Sequence, residues 1–153
     1  EHVTCVDVSQ SAIDMAKSNA VRNGLDGKMD FLCEDVFDLL TELAEQKCRD
    51  FDYIILDPPA FTKSRDTVQA AARGYKEINL KAMKLLPRGG YLATCSCSHF
   101  MTDDLFRKTL ASAARDASVS LRQIEARQQA PDHPILWNVP ETSYLKFYIF
   151  QVV

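Results

Sequence analysis

Along this chain, short uncharged apolar runs alternate with stretches in which apolar side chains recur every three or four positions. That alternation predicts βα units packed on a mostly parallel sheet, an α/β fold. Val3 to Val8 reads as a buried strand with Asp7 at its close. Ser9 then caps a helix whose inner face is Ile13, Ala16 and Ala20, and Gly24 stops it. Met29 to Cys33 is the next strand, closed by Glu34 and Asp35, and a second helix covers Val36 to about Gln46. Phe51 to Leu56 is a strand running into Asp57-Pro58-Pro59, where two prolines force the chain to turn. A long helix from Thr67 to Leu86 presents Tyr75, Ile78, Ala82 and Leu85 on one face and ends at Pro87-Arg88-Gly89-Gly90. The strand Tyr91 to Cys97 follows. Thr102 opens a helix with Asp103 and Asp104 in its first turn, and Leu105, Phe106, Leu110 and Ala113 on its apolar face. Two further strands, Leu121 to Arg127 and Tyr144 to Val152, flank a polar stretch containing Pro131-Asp132-His133-Pro134.

The 153 residues amount to one domain, enough to hide about two-thirds of the unfolded surface. Hydrophobic residues at 46% and charged residues at 25% exclude disordered, collagen-like and coiled-coil classes. No apolar run approaches the ~20 residues that span a bilayer, and the first residues lack the basic-then-apolar order of a signal peptide. A net charge of −3 argues against a surface that grips nucleic acid everywhere and leaves room for a local basic patch. The five cysteines are odd in number with one close pair, Cys95 and Cys97, and the three histidines are scattered. This pattern predicts reduced intracellular thiols and no structural zinc.

In open α/β sheets ligands bind beyond the carboxyl ends of the strands, so polar residues that close strands are the candidates for chemistry. Asp7 stands where an acid accepts hydrogen bonds from both hydroxyls of a ribose, and equally where a carboxylate caps a helix. Asp35 reads as an acceptor for an adenine amino group or as a solvated loop acid. Asp57-Pro58-Pro59-Ala60-Phe61 is more specific. Its prolines hold a carboxylate and the neighbouring carbonyls at fixed angles, with an aromatic ring close by, a turn suited to gripping a flat nitrogenous base.

Motif and strand order together resemble class I S-adenosylmethionine-dependent methyltransferases, whose sheet is Rossmann-like with an antiparallel C-terminal strand. The resemblance narrows at Thr94-Cys95-Ser96-Cys97-Ser98-His99. With the Asp57 turn, Met101-Thr102-Asp103-Asp104-Leu105-Phe106, Ala130-Pro131-Asp132-His133-Pro134 and Tyr144-Leu145-Lys146, the whole chain looks like the ribosomal RNA large subunit methyltransferase I family. That family makes 5-methylcytidine. The resemblance implies S-adenosyl-L-methionine as cofactor, with Asp7, Asp35 and Asp57 as its binding acids, ribosomal RNA as substrate, and a cytoplasmic location. Carbon 5 of cytosine is a poor nucleophile until a thiolate adds at carbon 6, so the chemistry requires a cysteine. Spacing from Gly89-Gly90 favours Cys97 as that nucleophile, whereas matching Thr-Cys-Ser favours Cys95; Cys97 is the choice here. Asp57 would hydrogen-bond cytosine at ring nitrogen 3 and its amino group as charge develops. Pro58, Pro59 and Phe61 would shape the base site, with Phe61 stacking on a flipped base. Lys63, Arg65, Arg73 and Lys76 would meet phosphates, and His133 would border the pocket mouth.

The chain departs from the pattern in one respect. A Gly-rich turn after the first strand is missing, since the five glycines are Gly24, Gly27, Gly74, Gly89 and Gly90. The sequence opens directly in what the family places second. These features predict a fragment of a catalytic domain, active in its parent protein, with open strand edges that the two halves, another chain or a further segment would fill. Three alternatives share some features. An amino-group methyltransferase would use the Asp57 turn without a cysteine, a nicotinamide-dependent oxidoreductase would use Asp7, and an RNA-binding module would need neither.

Overall fold

The computed structural model describes residues 2–153. Its strands are β1 (Val3–Asp7), β2 (Met29–Cys33), β3 (Tyr53–Leu56), β4 (Tyr91–Ser96), β5 (Leu121–Arg127) and β6 (Lys146–Val152). The helices are α1 (Gln10–Arg22), α2 (Val36–Glu45), α3 (Val68–Leu85) and α4 (Asp103–Asp116). The chain forms two compact units, a first ending at Glu45 and a second running from Gln46 to Val153.

In the first unit β1 and β2 pair in parallel, from Val3↔Met29 to Asp7↔Cys33. The Ser9 hydroxyl accepts from the Ala12 amide at 3.4 Å and so starts α1, while Gly24, at φ +65°, turns the chain after it. Ile13 and Ala20 are buried on the inner face and Ala16 is half-buried. The expectation of a buried first strand is corrected. Val3 is 54% exposed and Val8 74% exposed, because a strand's burial depends on what covers its faces and second edge, and β1 has β2 as its one ladder partner among the described residues.

The second unit holds a four-stranded sheet in the order β3-β4-β6-β5. β3 and β4 run parallel, and β6 lies antiparallel to both β4 and β5, so one reversed C-terminal strand sits in an otherwise parallel sheet. Gly89 takes φ +93°, and a side chain on Gly90 would press within 3.1 Å of the Pro87 carbonyl; both glycines are needed to bring the chain from α3 into β4. The Gly89 amide and Gly90 carbonyl then bond Val152 at 2.7 and 2.9 Å, fixing the start of β4 against the end of β6. Leu92 through Ser96 are all buried, as expected of an uncharged strand covered on both faces.

Thr102 caps α4 as the sequence predicts, its hydroxyl accepting from the Leu105 amide at 3.3 Å. Tyr75 of α3 and Phe106 of α4 meet edge to face with centroids 5.5 Å apart, and Phe106 lies 6.2 Å from Tyr148 of β6. This aromatic column joins both helices to the sheet. The observed strands β3 and β6 start two residues later than the apolar runs suggested, at Tyr53 and Lys146, and β4 ends one residue earlier, at Ser96.

Candidate active site

Parallel pairing of β3 and β4, up to Leu56↔Thr94, makes both strands release their next residues on the same side of the sheet. Asp57 and Cys95 therefore meet. The Cys95 thiol donates to Asp57 Oδ1 at 3.0 Å and also lies 3.5 Å from the Leu56 carbonyl. Cys95 is only 6% exposed. Burial, then the Asp57 carboxylate as hydrogen-bond partner and charge, push this thiol far above the ordinary thiol range, so it holds its proton.

The two residues flanking Cys97 are fixed differently. The buried Ser96 hydroxyl donates to the Tyr75 hydroxyl at 3.0 Å, and that hydroxyl lies 3.2 Å from Ser98 Oγ. Lys146, opposite Ser96 in the β4–β6 register, donates to the Ser98 carbonyl at 2.7 Å. Ser96 and Ser98 are thus pinned into the interior, and Cys97 between them is half-buried at the strand end. The structure places Asp57 against Cys95, with Cys97 two residues further along the same strand end, and gives the thiols different environments: Cys95 is enclosed against a carboxylate and Cys97 is half-buried.

The loop after Asp57 is ordered by a threonine. Thr62, itself buried, places its hydroxyl 2.7 Å from the Ser64 carbonyl and 2.7 Å from Thr67 Oγ1, which leaves Lys63 and Arg65 exposed on the loop. Phe61 packs on Tyr75 with centroids 4.5 Å apart. Pro58 is half-buried and Pro59 exposed. Arg73 is exposed on α3, whereas Lys76 is paired with Asp116 at 2.6 Å, since α3 and α4 lie side by side. Lys76, expected in the loop's basic patch, is thus engaged by an acid of the neighbouring helix. His133 is exposed, with Nδ1 3.2 Å from the Tyr144 hydroxyl.

In the first unit, Asp7 and Asp35 follow paired parallel strands and use the same local geometry. Asp7 Oδ1 accepts from the Ser9 amide at 2.7 Å, and Asp35 Oδ1 from the Phe37 amide at 2.7 Å. Each carboxylate shapes the turn into the following helix with one oxygen and remains exposed. The donor set suits a ligand with hydroxyl or amino groups, because an acid whose first oxygen is spent on backbone keeps the second as an acceptor.

Sequence reasoning missed Tyr75, Ser96, Ser98 and Lys146 as parts of this arrangement. Tyr75 was visible as a core position, and its hydroxyl, set among apolar neighbours on α3, was the one available signal that a buried polar partner was needed.

A family model for the methyltransferase domain matches residues 1–141. The chain is 46% identical over 152 residues to the ribosomal RNA large subunit methyltransferase I of Klebsiella pneumoniae strain 342, covering 99% of this chain and 38% of that protein. It is 48% identical over 153 residues to the protein of the same name from Pseudoalteromonas translucida strain TAC 125, with the same two coverages. The chain thus spans about two-fifths of the length of these curated relatives. Among solved structures, SMU.776, a methyltransferase by description and complexed with SAH, aligns with a TM-score of 0.83 at 20% identity, over 99% of this chain and 39% of its own. That likeness is one of fold.

Proposed function

Because the chain belongs to the methyltransferase-domain family, we propose that it carries the base-handling part of an S-adenosylmethionine-dependent methyltransferase acting on carbon 5 of a cytidine in large-subunit ribosomal RNA. The observation that carries this reading is Asp57 against Cys95 at the ends of two parallel strands, with Cys97 two residues further on, one thiol held neutral and the other half-buried.

Cys97 is assigned as the nucleophile. Its thiolate adds to carbon 6 of cytosine, which gives carbon 5 enamine character. When bound, S-adenosylmethionine supplies an electrophilic methyl group on its sulfonium. With carbon 5 methylated and the sulfonium released as a thioether, the carbon 5 proton would pass to water and the bond between carbon 6 and the Cys97 sulfur would break, restoring ring and thiolate. Asp57 accepts a hydrogen bond from the cytosine amino group, and from ring nitrogen 3 once that nitrogen takes up a proton in the adduct. Cys95 keeps its proton beside Asp57 and stays out of the attack. Pro58, Pro59 and Phe61 line the base, and Lys63 and Arg65 reach backbone phosphates. Asp7 and Asp35 hold the adenosine part of the cofactor through their remaining oxygens. All five cysteines are free thiols, in keeping with a reducing cytoplasm.

The test uses a protein of the relatives' full length carrying this sequence, large-subunit RNA made in cells lacking it, and methyl-labelled cofactor. Nucleoside analysis should yield labelled 5-methylcytidine. Label on an exocyclic amino group would replace this reading with an amino-group methyltransferase, and no label in RNA would remove it.

A further inference from the structure

Lysine is among the residues least often buried, and a buried ammonium normally has a carboxylate beside it. Lys146 departs from both habits. It is 8% exposed, and among the described residues no carboxylate stands within ion-pair distance of its Nζ. Its amine instead donates to two backbone carbonyls, Ser98 at 2.7 Å and Tyr144 at 2.7 Å. The first of these lies directly after Cys97, and the second lies two residues before Lys146 itself, so the side chain clasps the end of β4 to the start of β6. Ser98 O also accepts from the Met101 amide at 3.1 Å, which closes the turn that follows. Burial holds the Lys146 amine below the ordinary lysine value, with Cys97 and Asp103 pulling weakly the other way. Asp103 is itself engaged by the Tyr148 hydroxyl. A buried lysine without a carboxylate partner, held on the carbonyl of the residue after a half-buried thiol, stands where it can meet negative charge that the thiol acquires in the reaction.

We propose that Lys146 is a positioning residue for Cys97: it pins the Cys97–Ser98 turn through the Ser98 carbonyl and brings its side-chain nitrogen to the strand end that carries the sulfur. The inference rests on the cysteine chemistry proposed above and adds the group that readies the nucleophile. It assigns Lys146 no contact with substrate.

The experiment reads thiol reactivity and needs no methyl transfer. The chain is treated with iodoacetamide at neutral pH, and modification of each cysteine is timed by peptide mass, with Cys5, Cys33 and Cys48 as internal references. Lys146→Met, which keeps bulk and removes charge, should slow Cys97 by about tenfold, the effect of roughly 1.4 kcal/mol of charge interaction. Lys146→Arg should recover most of the rate, which a purely structural role would not predict. An unchanged or faster Cys97 in Lys146→Met overturns the proposal. Should Lys146→Met fail to fold, Lys146→Gln carries the same comparison. A slowed Cys97 together with RNA that gains no 5-methylcytidine keeps Lys146 as the positioning residue and removes the cytosine reading alone.

Discussion

Removing one oxygen, in Tyr75→Phe, tests whether the serines around Cys97 are held as described. Tyr75 is 0% exposed, and its hydroxyl bonds Ser96 Oγ at 3.0 Å and Ser98 Oγ at 3.2 Å. Phenylalanine keeps the ring against Phe61 and Phe106, so no cavity term enters. The cost comes from two buried hydroxyls that lose a partner. A typical buried neutral hydrogen bond is worth about 1 kcal/mol, and an unsatisfied buried group costs about 1–3 kcal/mol, which gives roughly 2–4 kcal/mol in all. Ser96 retains a contact with the Ser98 amide at 3.4 Å, which favours the lower half of that range. Urea unfolding followed by circular dichroism measures the difference, and the thermal midpoint should fall by about 2–4 °C per kcal/mol. A loss below about 0.5 kcal/mol would refute the reasoning, since buried pairs at these distances are expected to exceed it.

The Asp57→Ala variant should abolish methyl transfer while cofactor affinity measured by calorimetry stays within about threefold, because its proposed partner is the base and a threefold change is under 1 kcal/mol. The same change removes the carboxylate that holds the Cys95 proton, so Cys95 should alkylate faster than in the unmodified chain. In the unmodified chain at pH 8, iodoacetamide should label Cys97 and spare Cys95. The Cys95 thiol lies above the ordinary value of 9.0, so its contribution to stability is full below that pH and declines as the unfolded chain ionises above it; pH-dependent melts of Cys95→Ala against the unmodified chain read this directly. Replacing Phe106, 0% exposed between Tyr75 and Tyr148, with Ala should cost about 3–5 kcal/mol in urea unfolding, and a cost under 1 kcal/mol would contradict the aromatic column.

Much of the fold is legible because local signals agree. Ser9 and Thr102 sit at the caps they predict, Gly24 and Gly89 take the positive φ that only glycine adopts freely, and the strand runs fall within two residues of the ladders. The exposure of β1 was not legible, since an apolar run such as Val3, Cys5, Val6 and Val8 states that a strand can be buried without naming what covers it. The pairing of Cys95 with Asp57 depends on the β3–β4 register, and the role of Lys146 on the antiparallel match Ser96↔Lys146, both set by tertiary contacts between distant segments. The same holds for Lys76, whose partner Asp116 lies on another helix. Sequence placed the acids and thiols at strand ends; hydrogen bonding assigned each its environment.

The most direct test of the cysteine chemistry is an adduct trap. RNA carrying 5-fluorocytidine at the target blocks loss of the carbon 5 substituent, so a protein of the relatives' full length carrying this sequence should stay covalently bound in the presence of cofactor. The account predicts an adduct stable to denaturing gel electrophoresis that disappears in Cys97→Ser and persists in Cys95→Ser. An adduct that persists in Cys97→Ser and vanishes in Cys95→Ser, or no adduct at all in an enzyme that makes 5-methylcytidine, would contradict it.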